Sequence, residues 1–159
     1  MEQRVGLGYD IHPIATGRPL VIGGVRIESE WGLAGHSDAD VLLHAIGDAL
    51  LGAAALGDLG THFPPADAQW KDASSLDLLC RIAALLNGRQ ARIVNVDATL
   101  IAEQPRLAPH REAICANVAS ALGIDASRVS VKATTNERLG ALGRGEGLAA
   151  CAVALIELP

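Results

Sequence analysis

Residues 4–14, RVGLGYDIHPI, carry β-branched and aromatic side chains without a helical period, which predicts a strand. Residues 19–27, PLVIGGVRI, predict two short strands around Gly23-Gly24, followed by a polar loop from Glu28 to Ser37. The next run, DADVLLHAIGDALLGAAALG, has a helical pattern up to Gly57, and Ser37 and Asp40 are spaced like a capping box. The 17 residues from Gly57 to Ala73, rich in Pro, Gly and Asp, exceed an ordinary connection and predict a lid or binding loop. A helix then starts at Ser74 or Ser75 and ends near Asn87-Gly88. A strand over 91–102, a loop punctuated by Pro105 and Pro109, and a helix stopped by Gly123 follow. Residues 128–135 predict a strand, 136–147 a glycine-punctuated segment, and 148–158 a closing buried strand. Strand pairs mixed with strand–helix alternations predict an α+β fold in one domain, with a mixed sheet packed on helices.

Composition sharpens this picture. Half of the 159 residues are apolar and only 19% are charged, which excludes disorder. Aromatic residues are scarce at 3%, so the core must be built from Ala, Leu, Val and Ile. With a positive mean hydropathy, this predicts that some apolar surface is covered by sister subunits. The net charge of −5 without a Lys/Arg run excludes a nucleic-acid partner of the usual kind. Cys80, Cys115 and Cys151 are odd in number and form no CxxC pair, and read as small buried hydrophobes in a reducing compartment. The first residues lack an apolar signal region and no run is long enough to span a membrane, so the expected location is the cytoplasm.

Chemistry concentrates in a few places. Asp10 and His12, two apart on a predicted strand, project to one face while Ile11 faces the other, which is half of a metal site or a plain polar strand face. Asp40, His44 and Asp48 recur every four residues on one helix face. His44 has apolar neighbours and reads either as a buried hydrogen-bonded histidine or as a ligand. His36 and Ser37 precede the helix, where amide donors favour an anion. Asp10, His12 and His44 together supply three ligands and leave a fourth tetrahedral position open, as in catalytic rather than structural zinc sites. Thr134, Thr135 and Glu137, at the end of a strand, read as an ordinary polar turn or as donors to a phosphate with a carboxylate for a hard cation. Residues 143–147, GRGEG, are a flexible turn or aim Arg144 at an anion.

Taken together, GYDIH at 8–12, AGHSDADV at 34–41, HAIGDALLGAAALGDLG at 44–60, NVDAT at 95–99, VKATT at 131–135 and GRGEG at 143–147 resemble the 2-C-methyl-D-erythritol 2,4-cyclodiphosphate synthase family. The resemblance runs over nearly the whole chain. It implies a chorismate-mutase-like α+β fold, a homotrimer with active sites between subunits, and a CMP-releasing, cyclising phosphorus–oxygen lyase of the non-mevalonate isoprenoid pathway. The implied substrate is 4-diphosphocytidyl-2-C-methyl-D-erythritol 2-phosphate. Zinc would be held by Asp10, His12 and His44, and a second ion, Mg or Mn, by Glu137. His36 and Thr135 would stabilise the transition state. Substrate contacts would come from Ser37, from Asp58, Leu59 and Gly60, from Phe63, Pro64 and Asp67 of a mobile loop, from Ala102, Pro105, Arg106, Leu107 and Ala108 around cytosine, and from Thr134. Arg144 would stand beside a central channel that can take an isoprenoid diphosphate. Pro65, Ala66, Asn136 and Ala141 depart from the family pattern. A non-catalytic metal or nucleotide-binding module and a zinc phosphohydrolase are the alternative readings of the same ligands.

Overall fold

The computed structural model describes residues 1–159. In chain order the elements are β1 (Glu2–Thr16), β2 (Leu20–Ile22), β3 (Val25–Ile27), β4 (Trp31–Leu33), α1 (Val41–Ala53), α2 (Leu59–His62), α3 (Ser75–Gly88), β5 (Arg92–Ile101), α4 (Arg111–Leu122), β6 (Val129–Thr134), α5 (Gly140–Gly143) and β7 (Gly147–Leu158). Five strands form one mixed sheet in the order β4-β1-β7-β5-β6, with only β5 and β6 parallel, while β2 and β3 make a separate hairpin. The expected α+β class and mixed sheet are therefore observed.

One face of the sheet carries the helices and the core. Leu42, Leu43, Ile46, Leu50 and Leu51 of α1 are buried with Leu79, Ile82 and Leu86 of α3 and with Ile114 and Val118 of α4. On β1 the usual alternation is inverted in size: the inward positions include Gly6 and Gly8, while Val5, Leu7, Tyr9 and Ile11 face outward and are exposed. The glycines are there because α1 lies almost on the strand. A Cβ at Gly6 would stand 1.8 Å from the Ala49 carbonyl oxygen, and one at Gly8 would stand 1.8 Å from that of Ala45. Small residues on β7 (Ala150, Ala152 and Ala154, all buried) extend the same shallow bed. This approach fixes the residues of β1 that follow Gly8 against the residues of α1 that precede Ala45.

The structure corrects several sequence expectations. Residues 31–33, read as loop, form β4 because they pair antiparallel with Ile14–Thr16. The cap of α1 is Asp40 rather than Ser37, its side chain accepting from the Leu43 amide, so the helix starts at Val41. The helix ends at Ala53 rather than Gly57, as Ala55 turns left-handed at φ 54°. The long 57–73 segment is partly ordered by α2 and by a short 3-10 turn at Ala68–Trp70. Cys80 is exposed and Cys115 and Cys151 are half-buried, so none of the three is the fully buried hydrophobe expected. Cys80 sits on the solvent side of α3, where Leu79 and Ile82 take the core positions.

Candidate metal centre and active-site cleft

Asp10 and His12 extend the inward row of β1 beyond Gly8, and His44 lies one residue before Ala45 on α1. The close approach of strand and helix thus brings the three together. Asp10 Oδ2 lies 2.7 Å from His12 Nε2 and 3.0 Å from His44 Nδ1, and the two ring nitrogens are 3.2 Å apart. One ligand atom from each residue falls within 4.8 Å of the others. The rings meet edge to face at 61°. His12 Nδ1 donates to the Ala34 carbonyl at 2.8 Å, which leaves Nε2 with its lone pair toward the cluster. One hard carboxylate and two imidazoles converging at this spacing are a donor set suited to zinc or a similar ion.

The electrostatics of the cluster follow from the mutual contacts of these three side chains. Partial burial raises the Asp10 carboxyl, but hydrogen bonds and charge from His12 and His44 overcome it and bring the value down to about 2. His12 is subject to the same contest: burial lowers it, the Asp10 carboxylate raises it, and the net shift is upward. Asp48, one turn along α1, accepts from the Leu59 amide at 2.8 Å, and its carboxyl is raised by burial.

These side chains open into a cleft of about 330 Å³ that also includes His36, Ser37, Leu59, Gly60, Phe63, Pro65 and Trp70 among its lining residues. The His36 segment is held from behind by hydrogen bonds to its backbone. Arg18 donates to the carbonyls of Gly35 at 2.6 Å and Ser37 at 2.7 Å, and the Asp72 amide donates to His36 O at 2.9 Å. The expected helix-terminus site for an anion is not what forms. Asp40, fully buried, places its own carboxylate at the start of α1, where Oδ1 accepts from Leu43 N and Gly23 N and Oδ2 from Gly24 N. What His36 and Ser37 offer the cleft is side-chain chemistry. Phe63 packs edge to face on Trp70 at 5.0 Å, and Arg81 lies 5.1 Å over the Trp70 ring, which anchors the 63–70 loop beside the cleft.

Other expected residues stand elsewhere. Asp58 and Pro64 are exposed outside the cleft lining, and Asp58 caps α2 by accepting from both Thr61 N and Thr61 Oγ1. Asp67 likewise caps its 3-10 turn through Gln69. Thr135, Glu137 and Arg144 line a second, larger cleft of about 820 Å³ that shares no lining residue with the first. Within one chain, then, His36 and Thr135 do not meet in one cavity. Glu103, which no motif singles out, ties this second cleft together: its carboxylate accepts from the amides of Asn136 at 2.8 Å and Arg138 at 3.1 Å. Thr135 Oγ1 accepts from Glu137 N, and Asn136, one of the departures, donates to Leu139 O. Ala102 and Leu107 are buried at the root of the segment after β5, whereas Pro105, Arg106 and Ala108 are more open. Thr134, at the end of β6, is exposed and donates to Thr135 O. Arg144 is exposed and pairs with Glu146. Arg18 and Ser75, both part of the site's support, carried no recognisable sequence signal beyond the position of Ser75 at a helix start, and Asp38 stands within AGHSDADV without a spacing that marks its role.

Residues 3–157 match the YgbB family. The chain is 57% identical over 152 residues to the 2-C-methyl-D-erythritol 2,4-cyclodiphosphate synthase of Symbiobacterium thermophilum, covering 96% of this chain and 97% of that one. Among solved structures, the bifunctional IspDF from Campylobacter jejuni superposes with a TM-score of 0.95 at 39% identity over 99% of this chain, which spans 43% of that longer protein. The IspF of Plasmodium falciparum, solved as a CDP complex, gives 0.86 at 34% identity, covering 98% of this chain and 96% of that one. The chain therefore belongs to the YgbB family, that of the 2-C-methyl-D-erythritol 2,4-cyclodiphosphate synthases.

Proposed function

We propose that this chain converts 4-diphosphocytidyl-2-C-methyl-D-erythritol 2-phosphate to 2-C-methyl-D-erythritol 2,4-cyclodiphosphate and CMP. The observation that carries the reading is the convergence of Asp10, His12 and His44 beside His36 and Ser37, in a chain of this family. An oxygen of the 2-phosphate attacks the β-phosphorus of the same molecule, a new P–O–P bond forms, and the bond to the α-phosphate oxygen breaks as CMP leaves with the electron pair. The nucleophile needs no strong base and the leaving group no strong acid, since both are phosphates ionised near neutral pH. The barrier lies in bringing anions together in line, and positioning can supply about 7–11 kcal/mol in favourable intramolecular reactions. When bound by Asp10, His12 and His44, zinc supplies Lewis-acid polarisation of a phosphoryl oxygen. Ser37 and His36 offer a hydroxyl and an imidazole toward the developing charge, and Leu59, Gly60 and Phe63 shape the cleft around the sugar.

The separation of the two clefts supports an assembly in which the nucleotide bridges neighbours. The cytosine segment (Ala102, Pro105, Arg106, Leu107, Ala108), with Thr134, Thr135 and a second cation, Mg or Mn, on Glu137, is read as one half of the site. The zinc cleft of the adjacent subunit is the other half. The exposed apolar strip of β1, with Leu7 at 71% and Val5 at 67%, faces outward beside Val153 of β7 in the paired register. Covering that strip in a chorismate-mutase-like homotrimer accounts for its exposure in a single chain. An isoprenoid diphosphate near Arg144 and a cytoplasmic location complete the reading; no helix is long and apolar enough to cross a membrane.

The test is product identity. Incubation of the metal-replete protein with the cytidine substrate is expected to release CMP and the cyclic diphosphate in equal amounts. A linear diphosphate would assign a phosphohydrolase instead, and no CMP release at all would leave only a binding module. Sedimentation as a monomer at micromolar concentration would overturn the shared-site assembly.

A further inference from the structure

Behind His44, on the side away from the metal cluster, stands a chain of hydrogen bonds that no step above uses. Ser75 Oγ, at the first residue of α3 and buried, lies 2.9 Å from His44 Nε2. The same hydroxyl donates to Asp38 Oδ1 in a short hydrogen bond, and the Ser75 amide donates to Asp38 Oδ2 at 2.9 Å. Asp38 is itself fixed, accepting from Asp40 N at 3.2 Å and donating its own amide to Ala73 O at 3.1 Å. Ser37 Oγ approaches the same His44 nitrogen at 3.0 Å.

Counting protons gives the direction of this chain. A serine hydroxyl has one hydrogen, and here it goes to a carboxylate that can only accept. Toward His44, Ser75 is then an acceptor, so Nε2 carries the ring proton and the lone pair is on Nδ1, the nitrogen that faces Asp10 and His12. His12 is held the opposite way by the Ala34 carbonyl, with its lone pair on Nε2. The two histidines are thus locked in opposite tautomers, each presenting a bare nitrogen to the same point.

We infer that Asp38 and Ser75 are positioning residues, forming a carboxylate–hydroxyl–imidazole relay that holds His44 as an Nδ1 ligand and strengthens the site's grip on its cation. The inference rests on reading Asp10, His12 and His44 as metal ligands. It also assigns Ser37 a state: with the single Nε2 hydrogen engaged, the hydroxyl hydrogen of Ser37 finds no acceptor on His44 and is left for an anion in the cleft that Ser37 lines. Partners behind a ligating histidine typically change metal affinity by about 10–100-fold when removed.

The experiment measures zinc affinity by competition with a chromophoric chelator in wild type, Ser75→Ala and Asp38→Asn, and the His44 tautomer in the metal-free proteins by long-range proton–nitrogen NMR. Wild type is expected to bind one zinc per chain and to show His44 protonated on Nε2. Ser75→Ala is expected to weaken zinc about 10–100-fold and to spread His44 over both tautomers. Asp38→Asn keeps the acceptor's shape without its charge and is expected to act in the same direction by less, so it tests the relay even where the alanine variant fails to fold. Undiminished affinity in a folded variant, or weakened affinity with the His44 tautomer unchanged, overturns the relay. Absence of zinc binding in wild type overturns the metal reading itself, a distinguishable failure.

Discussion

His44 Nδ1 and the Asp10 carboxylate lie 3.0 Å apart although 34 positions separate them in the chain. That distance is set by the glycine row of β1, which lets α1 settle against the strand, and the candidate metal centre is a consequence of that packing.

Replacing His44 with alanine removes one of three ligands from a half-buried site without touching the core leucines of α1. Zinc stoichiometry measured by metal analysis is expected to fall well below one per chain and turnover to be nearly lost, with the circular dichroism spectrum retained. Full zinc content and normal turnover would remove His44 from the ligand set.

Metal binding should depend on pH through His12. Its folded value is raised above 6.5, whereas Asp10, at about 2, is ionised throughout the working range. Zinc must displace the His12 proton, so affinity is expected to climb as pH rises from 6.5 through the raised value, by up to about tenfold per pH unit, and to level off above it. Calorimetry in buffers of different ionisation enthalpy would detect the released proton. For the metal-free fold the signs are opposite for the two partners. The Asp10 contribution is present above 3.8 and lost toward 2, and the His12 contribution is present below 6.5 and lost as pH rises through its raised value. The pair therefore stabilises most between 3.8 and 6.5.

The two kinds of glycine in this packing should respond oppositely. Gly8→Ala drives a Cβ into the Ala45 carbonyl, so α1 must shift; a loss of about 1–3 kcal/mol or more is expected in urea unfolding, together with weaker zinc binding. Gly52, exposed on α1 with nothing within 4 Å of a Cβ, should gain about 0.5–1 kcal/mol on the same change. Equal effects at both positions would contradict the strand–helix contact.

Asp40 latches the β2–β3 hairpin to α1 through three amide donors. Asp40→Asn presents an N–H to one of those donors, with an expected loss of about 1–3 kcal/mol. Complete burial pushes the Asp40 carboxyl up to about 6, against the pull of the amides. A folded value above the unfolded 3.8 means that wild-type stability from this group is full below 3.8 and declines as pH rises through about 6. The gap between wild type and variant should narrow over that interval; a widening gap in the unfolding free energies would contradict the assignment.

Much of this was legible in the sequence because local chemistry and spacing agree. The period-two placement of Asp10 and His12, the helical run around His44 and the glycine stop at Gly123 all point to the elements observed, whereas α1 ends before Gly57. β4 was illegible because Trp31-Gly32-Leu33 is too short to show a period and exists only by pairing with the end of β1. Ser37 and Asp40 both suit the cap of α1 by residue type, and the role goes to Asp40, whose carboxylate accepts from Leu43 N and from the hairpin amides of Gly23 and Gly24. Glu103, Arg18 and Ser75 act through contacts far along the chain, on backbone groups or hydroxyls, and no spacing rule marks them; Asp38 lies within AGHSDADV, but its partner Ser75 is 37 positions away. The division of the expected site residues between two clefts was also beyond a one-dimensional reading.

The most direct test is crystallographic: diffraction data collected above and below the zinc absorption edge from crystals grown with zinc and CDP. One anomalous peak is expected about 2.0–2.2 Å from Asp10 Oδ, His12 Nε2 and His44 Nδ1. A peak held by other residues, or His44 turned so that Nδ1 points away from Asp10, would contradict the three-ligand centre.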